Sequence, residues 1–505
     1  MRERVKVPPS KVVIDYVMRP QLEADSRDSF EPLMDLSRAH VVMLAARGIV
    51  PRVKASELMR VFEDVCREGT DAISWDPALE DAYYNLETHI IKKAGPDVGG
   101  QMHTGRSRND LTATMTRIYV RNRLLAIADN LHGLRKTLLG LAESHTNTIV
   151  TGYTHLQPAQ PTTLGHYFHA IAQALERDDL RLRQAYEVVN RCPLGACAFN
   201  ATGFLIDRQM LADLTGFSGL VENSIDAVAT RDYVPQVLAA LAILSVALSR
   251  LAEDLYIWAT DEFGLIEVGD DVAATSSIMP QKKNPITLEH IRGKSAQIIG
   301  SLIAALTAQK GTPYEHLRDI SLEPTHPLRD GFREAEAAIN LMTATLSSLR
   351  VKSAVAEARA AENFSTVTEL ADVLVRETGL SFREAHGVVG AAVGDLYHRG
   401  GRTRDLTLVL LDRIAKERLG HPLGLSEASL QRALSPIENV SVRSVTGGPA
   451  PSEVLRSLKA SRERLASDEA WWSEQNARLK EARDRLDATA TELARSESSP
   501  PAARP

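Results

Sequence analysis

Apolar residues along this chain recur at helical spacing and seldom at strand spacing. Leu124, Ile127, Leu131, Leu134, Leu138 and Leu141 alternate steps of three and four, as do Val237, Leu241, Leu244, Leu248, Leu251 and Leu255. Those steps keep one side of an α-helix apolar, and two such seams pack at a shallow crossing angle. Ser295–Gln309 reads as a third apolar helix, and Ile339, Met342, Leu346 and Leu349 mark a fourth. Few segments alternate with period two, and no strand–helix–strand rhythm appears. The predicted fold class is therefore all-α, with a long helical bundle at its centre.

The second seam helix carries a further implication. Between Tyr233 and Ser249 there is no Asp, Glu, Lys or Arg. A helix that is apolar on every side must be covered on every side. One chain can do this, but association of subunits does so more easily, so an oligomer with a shared helical core is expected. The stretch is too short, and too rich in Ser, Gln and Ala, to read as a membrane span.

Punctuation by Gly and Pro divides the chain into three regions. A mixed, Pro-containing N-terminal region covers 1–107. The long-helix region covers 108–357. A shorter-helix region covers 358–505, with breaks at Gly379, Gly400–Gly401 and Gly447–Gly448. Within the last region, Ser452 to Ala494 reads as a highly charged helix, and the closing SESSPPAARP as disordered. The length of 505 residues exceeds what one core usually serves.

Composition narrows the function classes. Fifty-nine basic and 65 acidic residues give a net charge of −6, which argues against nucleic acid or an acidic membrane as the main partner. Cys66, Cys192 and Cys197 form no CxxC pair and no ligand spacing with histidine, so a reducing compartment is expected. The opening MRERVKVPPSKVVIDYVMRP lacks the apolar core of an export signal, and the cytoplasm is the expected location. No GxGxxG, P-loop, HExxH or GxSxG occurs, and neither a metal nor an organic cofactor is expected.

Three polar stretches wedged between strong helices carry the candidate chemistry. His103–Asp110 gathers Thr104, Arg106, Ser107, Arg108 and Asn109 at the approach to a long helix. Arginine grips carboxylates bidentately and Ser and Asn add donors, so the stretch suits an anionic substrate; it also suits a simple helix cap. Thr151–Pro161 places His155 beside Thr154, with Gln157 and Gln160 close by. An imidazole among hydrogen-bonding neighbours is a candidate acid or base, although a lone histidine is more often structural. Gly269–Pro285 runs from small residues into Ser276, Ser277, Lys282 and Asn284. Such a loop can close over a dianion and exclude water.

Ser276-Ser-Ile-Met-Pro-Gln-Lys-Lys-Asn-Pro285 resembles the signature of the fumarase/aspartase superfamily. HTGRSRND and TGYTHLQPAQP resemble its other two shared segments, in the form found in argininosuccinate lyases. Further similar segments place the resemblance over roughly residues 80 to 455. It implies a three-domain, all-helical homotetramer with a twenty-helix central bundle, in which each site draws one segment from each of three subunits. It implies anti elimination across a succinyl Cα–Cβ bond, with no metal or organic cofactor. On that resemblance Ser276 is the base. Lys282 and Asn284 bind the dianionic carboxylate. Ser107, Arg108, Asn109, Thr154 and Ser277 hold the carboxylates, and His155 protonates the departing nitrogen or orients a water that does.

The sequence also departs from the argininosuccinate lyase pattern. Thr275 replaces the glycine before the two serines, and Leu111 and Met115 replace a Gln and an Asp. In Lys310–Pro324, aligned on Lys310-Gly and Arg318-Asp, His316, Ser321 and Pro324 stand where the family has Tyr, Gln and Lys to hold its substrate. The fumarate half of the site thus reads as intact and the amine half as rebuilt. The first expectation is an N-substituted aspartate other than argininosuccinate, such as ethylenediamine-disuccinate, with His316 contributing to substrate binding. Argininosuccinate itself is the alternative. A non-catalytic relative is the third reading, and the complete set of Ser276, Lys282, Asn284 and His155 argues against it.

Overall fold

The computed structural model describes residue 4 and residues 7–496. The closing segment expected to be disordered lies outside the described residues from 497 onward. Five long helices form the centre: Arg108–Ser144, Leu164–Val189, Tyr233–Trp258, Ile286–Gln309 and Thr325–Ser347. The first and second seams fall on the first and third of these. The other two apolar helices are longer than their sequence marks, beginning at Ile286 and Thr325, because their first turns mix polar residues into the apolar stripe. Strands among the described residues are short antiparallel pairs, the longest being Ile149–Thr154 with Gln157–Thr163.

The bundle helices alternate in direction. Thr287 bonds Thr345 at 2.7 Å and Lys294 reaches Glu334 at 2.6 Å, so the fourth and fifth helices are antiparallel. Arg292 and Glu253 pair at 2.9 Å, which sets the third against the fourth. Arg117, in the third turn of the first helix, donates to the Val188 and Val189 carbonyls at the end of the second. Its guanidinium also lies over the ring of Tyr233, at the start of the third helix. One end of the bundle therefore gathers the segments 103–110, 190–232 and 310–324. The opposite end gathers 145–163 and 259–285.

The core follows the seams. Leu124, Ile127, Leu131, Leu134 and Leu138 are fully buried, as are Val237, Leu241, Leu251 and Leu255. Each such side chain removed from water contributes about 1.5–3 kcal/mol before entropy is counted. The third helix is nonetheless not covered on all sides within one chain. Ile243 and Val246 stay 48% and 41% exposed, and on the fourth helix Ile299, Ile303 and Leu306 are exposed as well.

Two further cores flank the bundle. One packs helices Phe30–Ala46, Arg52–Glu68 and Ala82–Ala94 against Leu111, Met115 and Ile118 of the first bundle helix. The other lies among the shorter helices between 367 and 434. The charged helix, expected from Ser452, spans Pro451–Arg495 and packs away from that last core. Val454, Leu458 and Trp472 join the bundle, and Leu486, Ala490 and Leu493 join the N-terminal core.

Candidate active site

The first segment is fixed by the start of the first bundle helix. Ser107 is the N-cap, accepting from Asn109 N, while the Asp110 carboxylate accepts from Ser107 N at 3.1 Å in a reciprocal capping box. Asp110 is fully buried, and its second oxygen accepts from Gly195 N and Cys197 N, both at 2.9 Å. Asn109 Nδ2 donates to Ala198 O at 3.0 Å, and the Cys197 thiol lies 3.2 Å from Gly105 O. The turn 195–198 is thereby bolted to 105–110. Cys197 takes a positive φ of 55°, a conformation disfavoured for a side chain with Cβ and held here by the Asp110 bonds. Sequence reasoning passed over Asp110 as a mere cap.

Burial pushes the Asp110 carboxyl up to about 6; the N–H groups of Cys197, Ser107 and Gly195 and the charge of Arg106 offset only part of that. A carboxyl whose folded pKa is raised adds stability that is complete below its ordinary range and is lost as pH rises through about 6. The melting-temperature advantage of wild type over Asp110→Asn is therefore expected to shrink between pH 4 and 7. An advantage that grows over that interval would contradict this.

Arg108 is already committed. Its guanidinium pairs with Glu80 at 2.9 Å and Asp81 at 2.8 Å and stacks over Tyr84 at 3.9 Å. Those acids fix its position and offset part of its charge.

The second segment is a hairpin. Thr154 pairs with Gln157, so His155 and Leu156 form the two-residue tip, with φ of 53° and 57°. Two left-handed residues match the twist of a tight hairpin but are usually Gly, Asn or Asp, so the tip is strained. Thr154 and His155 are exposed there. A bulge at Gly152 sets the register: a Cβ would meet Gln160 O at 2.9 Å. Asn363 ties Thr151 at 2.9 Å and anchors the base of the hairpin.

The third segment is also a hairpin loop. Ala274–Thr275 pair with Lys283–Asn284, closing residues 276–282 into a tip. Ser276 Oγ accepts from Met279 N at 3.0 Å and Ile278 N at 3.4 Å, and Lys282 N bonds Met279 O at 3.2 Å. Ser277 and Lys282 are exposed and Asn284 is half-buried. Lys283 is engaged elsewhere, with Glu267 at 2.9 Å and Asp270 at 2.6 Å, so Lys282 is the ammonium presented at the tip.

Within one chain these segments do not meet. Ser107, Arg108, Asn109 and His316 lie at one end of the bundle. Thr154, His155 and the 276–284 loop lie at the other, a helix length of roughly 40 Å away at 1.5 Å per residue. His316 is half-buried. Burial, then the charges of Arg231 and Arg318, hold its imidazole down to about 4, so it is neutral at pH 7. Ser321 and Pro324 are buried. No group of three or more His, Cys, Asp or Glu side chains suited to a metal ion occurs among the described residues.

Comparison with known proteins agrees with this arrangement of helices and segments. The Lyase family model matches residues 28–300, and the model for the argininosuccinate lyase C-terminal region matches 364–441. Argininosuccinate lyase 1 of Shouchella clausii (strain KSM-K16) is 44% identical over 465 residues, 92% of this chain and 93% of its own length. Argininosuccinate lyase of Methanosarcina barkeri (strain Fusaro / DSM 804) is 41% identical, over 90% of this chain and 91% of its own. The crystal structure of EDDS lyase in complex with formate superposes with a TM-score of 0.87 at 32% identity, covering 97% of this chain and 96% of that one. The chain belongs to the fumarase/aspartase superfamily, in its argininosuccinate lyase branch. It is a carbon–nitrogen lyase that acts on a small molecule and releases fumarate.

Proposed function

We propose that this enzyme splits argininosuccinate into arginine and fumarate, with Ser276 as the base. The observation that carries the elimination is the seat of the Ser276 hydroxyl, whose oxygen already accepts two backbone N–H groups of its own loop. The same donors stabilise an alkoxide, which makes a weakly basic hydroxyl competent. The proton taken lies on carbon beside a carboxylate. Its electron pair passes into that carboxylate as an aci-carboxylate dianion, which Lys282 and Asn284 hold. The C=C bond then forms as the C–N bond breaks, and the nitrogen leaves with its electron pair. His155, or a water it orients, supplies the proton. Ser107, Arg108, Asn109, Thr154 and Ser277 hold the carboxylates through both steps.

This reading places the enzyme in the cytoplasm as a homotetramer. The separation of the segments supports shared sites, since antiparallel neighbours bring one chain's 107–109 end to another's 276 end. The exposed Ile299, Ile303 and Leu306 supply a face for that contact.

Argininosuccinate stands first because relatives bearing that activity's name share 40–44% identity over nine-tenths of the chain. The sequence reading had placed other succinyl amines first. His316, Ser321 and Pro324 still favour those as a second reading, since losing partners for a charged group costs about 1–3 kcal/mol for each group left unpaired. Fumarate release, followed by its ultraviolet absorbance, separates the two. We expect kcat/KM for argininosuccinate to exceed that for ethylenediamine-disuccinate and N-alkyl aspartates. A higher value for ethylenediamine-disuccinate would move the enzyme to the second reading.

A further inference from the structure

At the end of the bundle that holds Ser107–Asn109, several buried arginines form no ion pair among the described residues, and two of them, Arg106 and Arg231, each leave two guanidinium nitrogens without a partner. Arg231, just before the third bundle helix, is 2% exposed. Its Nη1 donates to the carbonyls of Val228 at 3.1 Å and Thr230 at 2.8 Å, while Nε and Nη2 are buried with no partner. No carboxylate pairs with it among the described residues. The acid in its own turn, Asp226, is taken up by Thr230 at 2.5 Å and Tyr314 at 3.2 Å. His316 leans on the same place. Its Nδ1 is buried without a partner. The charges bearing on that imidazole are those of Arg231, Arg318 and, more weakly, Arg108. A buried guanidinium with unmet donors is costly unless an anion completes it.

We propose that Arg231 and His316 form an anion subsite for a second carboxylate, one carried by the leaving amine. The inference rests on the elimination reading above and names the substrate class that the amine half selects. Arg108 connects the two halves: it adjoins Ser107 and Asn109, which hold the succinyl carboxylates, and its charge also reaches His316. The Tyr314 hydroxyl ties the 312–318 segment to Asp226 and Thr230, next to Arg231 in the chain. Bound there, a carboxylate would satisfy the free guanidinium nitrogens and draw a proton onto His316, forming charge-assisted bonds. Argininosuccinate and aminopolycarboxylates both carry such a group, and simple N-alkyl aspartates do not. The departures at Ser321 and Pro324 then remove the family's donors without removing the site's preference for an anion.

The test compares matched pairs of N-substituted aspartates: N-methyl with N-carboxymethyl, and N-propyl with N-carboxypropyl. The readout is the ratio of kcat/KM within a pair. In wild type we expect the carboxylate-bearing member to win by about tenfold or more in one pair or both, as a site built around charged partners discriminates. In His316→Gln and in Arg231→Gln that ratio should fall to about threefold or less, whatever happens to the absolute rates. Should Arg231→Gln not fold, His316→Gln alone decides. A wild-type ratio near one, or a ratio that survives in folded variants because a neighbouring subunit's carboxylate already meets Arg231, would overturn the proposal. No fumarate from any compound, argininosuccinate included, would overturn the elimination reading itself and this inference with it.

Discussion

Ser276→Ala is expected to lose turnover by a factor of 10²–10⁴ while keeping its fold and its assembly. The oxygen it removes contacts only the N–H groups of Ile278 and Met279, both on the exposed tip of the loop. Nothing in the core depends on it, so melting temperature and light scattering should match wild type. The loss should appear in kcat and kcat/KM together, because the missing group acts in the transition state and leaves ground-state binding largely alone. Retention of more than about a tenth of wild-type turnover would place the base elsewhere.

Much of the fold that positions these segments was legible in the sequence, for reasons that differ between its parts. The helices followed from spacing because Leu124–Leu141 and Val237–Leu255 are buried by their neighbours along one continuous stripe. The start of the first bundle helix at Arg108 was marked by Ser107 and Asp110, whose side chains are the cap itself. The bundle hairpins were harder. Thr151–Pro161 contains two prolines and a bulge at Gly152, so period two is broken where the strands run. The commitment of Arg108 to Glu80 and Asp81 was invisible, since those acids are separated from it by two α-helices and a 3-10 turn. Arg231 was passed over for the same reason: an arginine before a helix reads as solvated until its burial is known. The amine half resists sequence reading most of all. There the chain keeps no donor at Pro324 and buries Ser321, and the burial of Arg231 comes from residues distant in sequence.

The separation of Ser107–Asn109 from Ser276 by about 40 Å makes shared sites the central claim, and a mixing experiment tests it most directly. Ser276→Ala and Asn109→Ala are each purified, and each is expected to be nearly inactive, since one lacks the base and the other a carboxylate donor. The two are then dissociated, mixed in equal amounts and reassembled. If a site takes its 107–109 segment from one chain and its 276–284 loop from another, random assembly leaves about a quarter of the sites with both segments intact. The mixture should then recover about a quarter of wild-type activity per chain, in a particle that light scattering reports as a tetramer. Recovery no greater than the sum of the two variants alone, or wild-type activity in a stable monomer, would contradict the account.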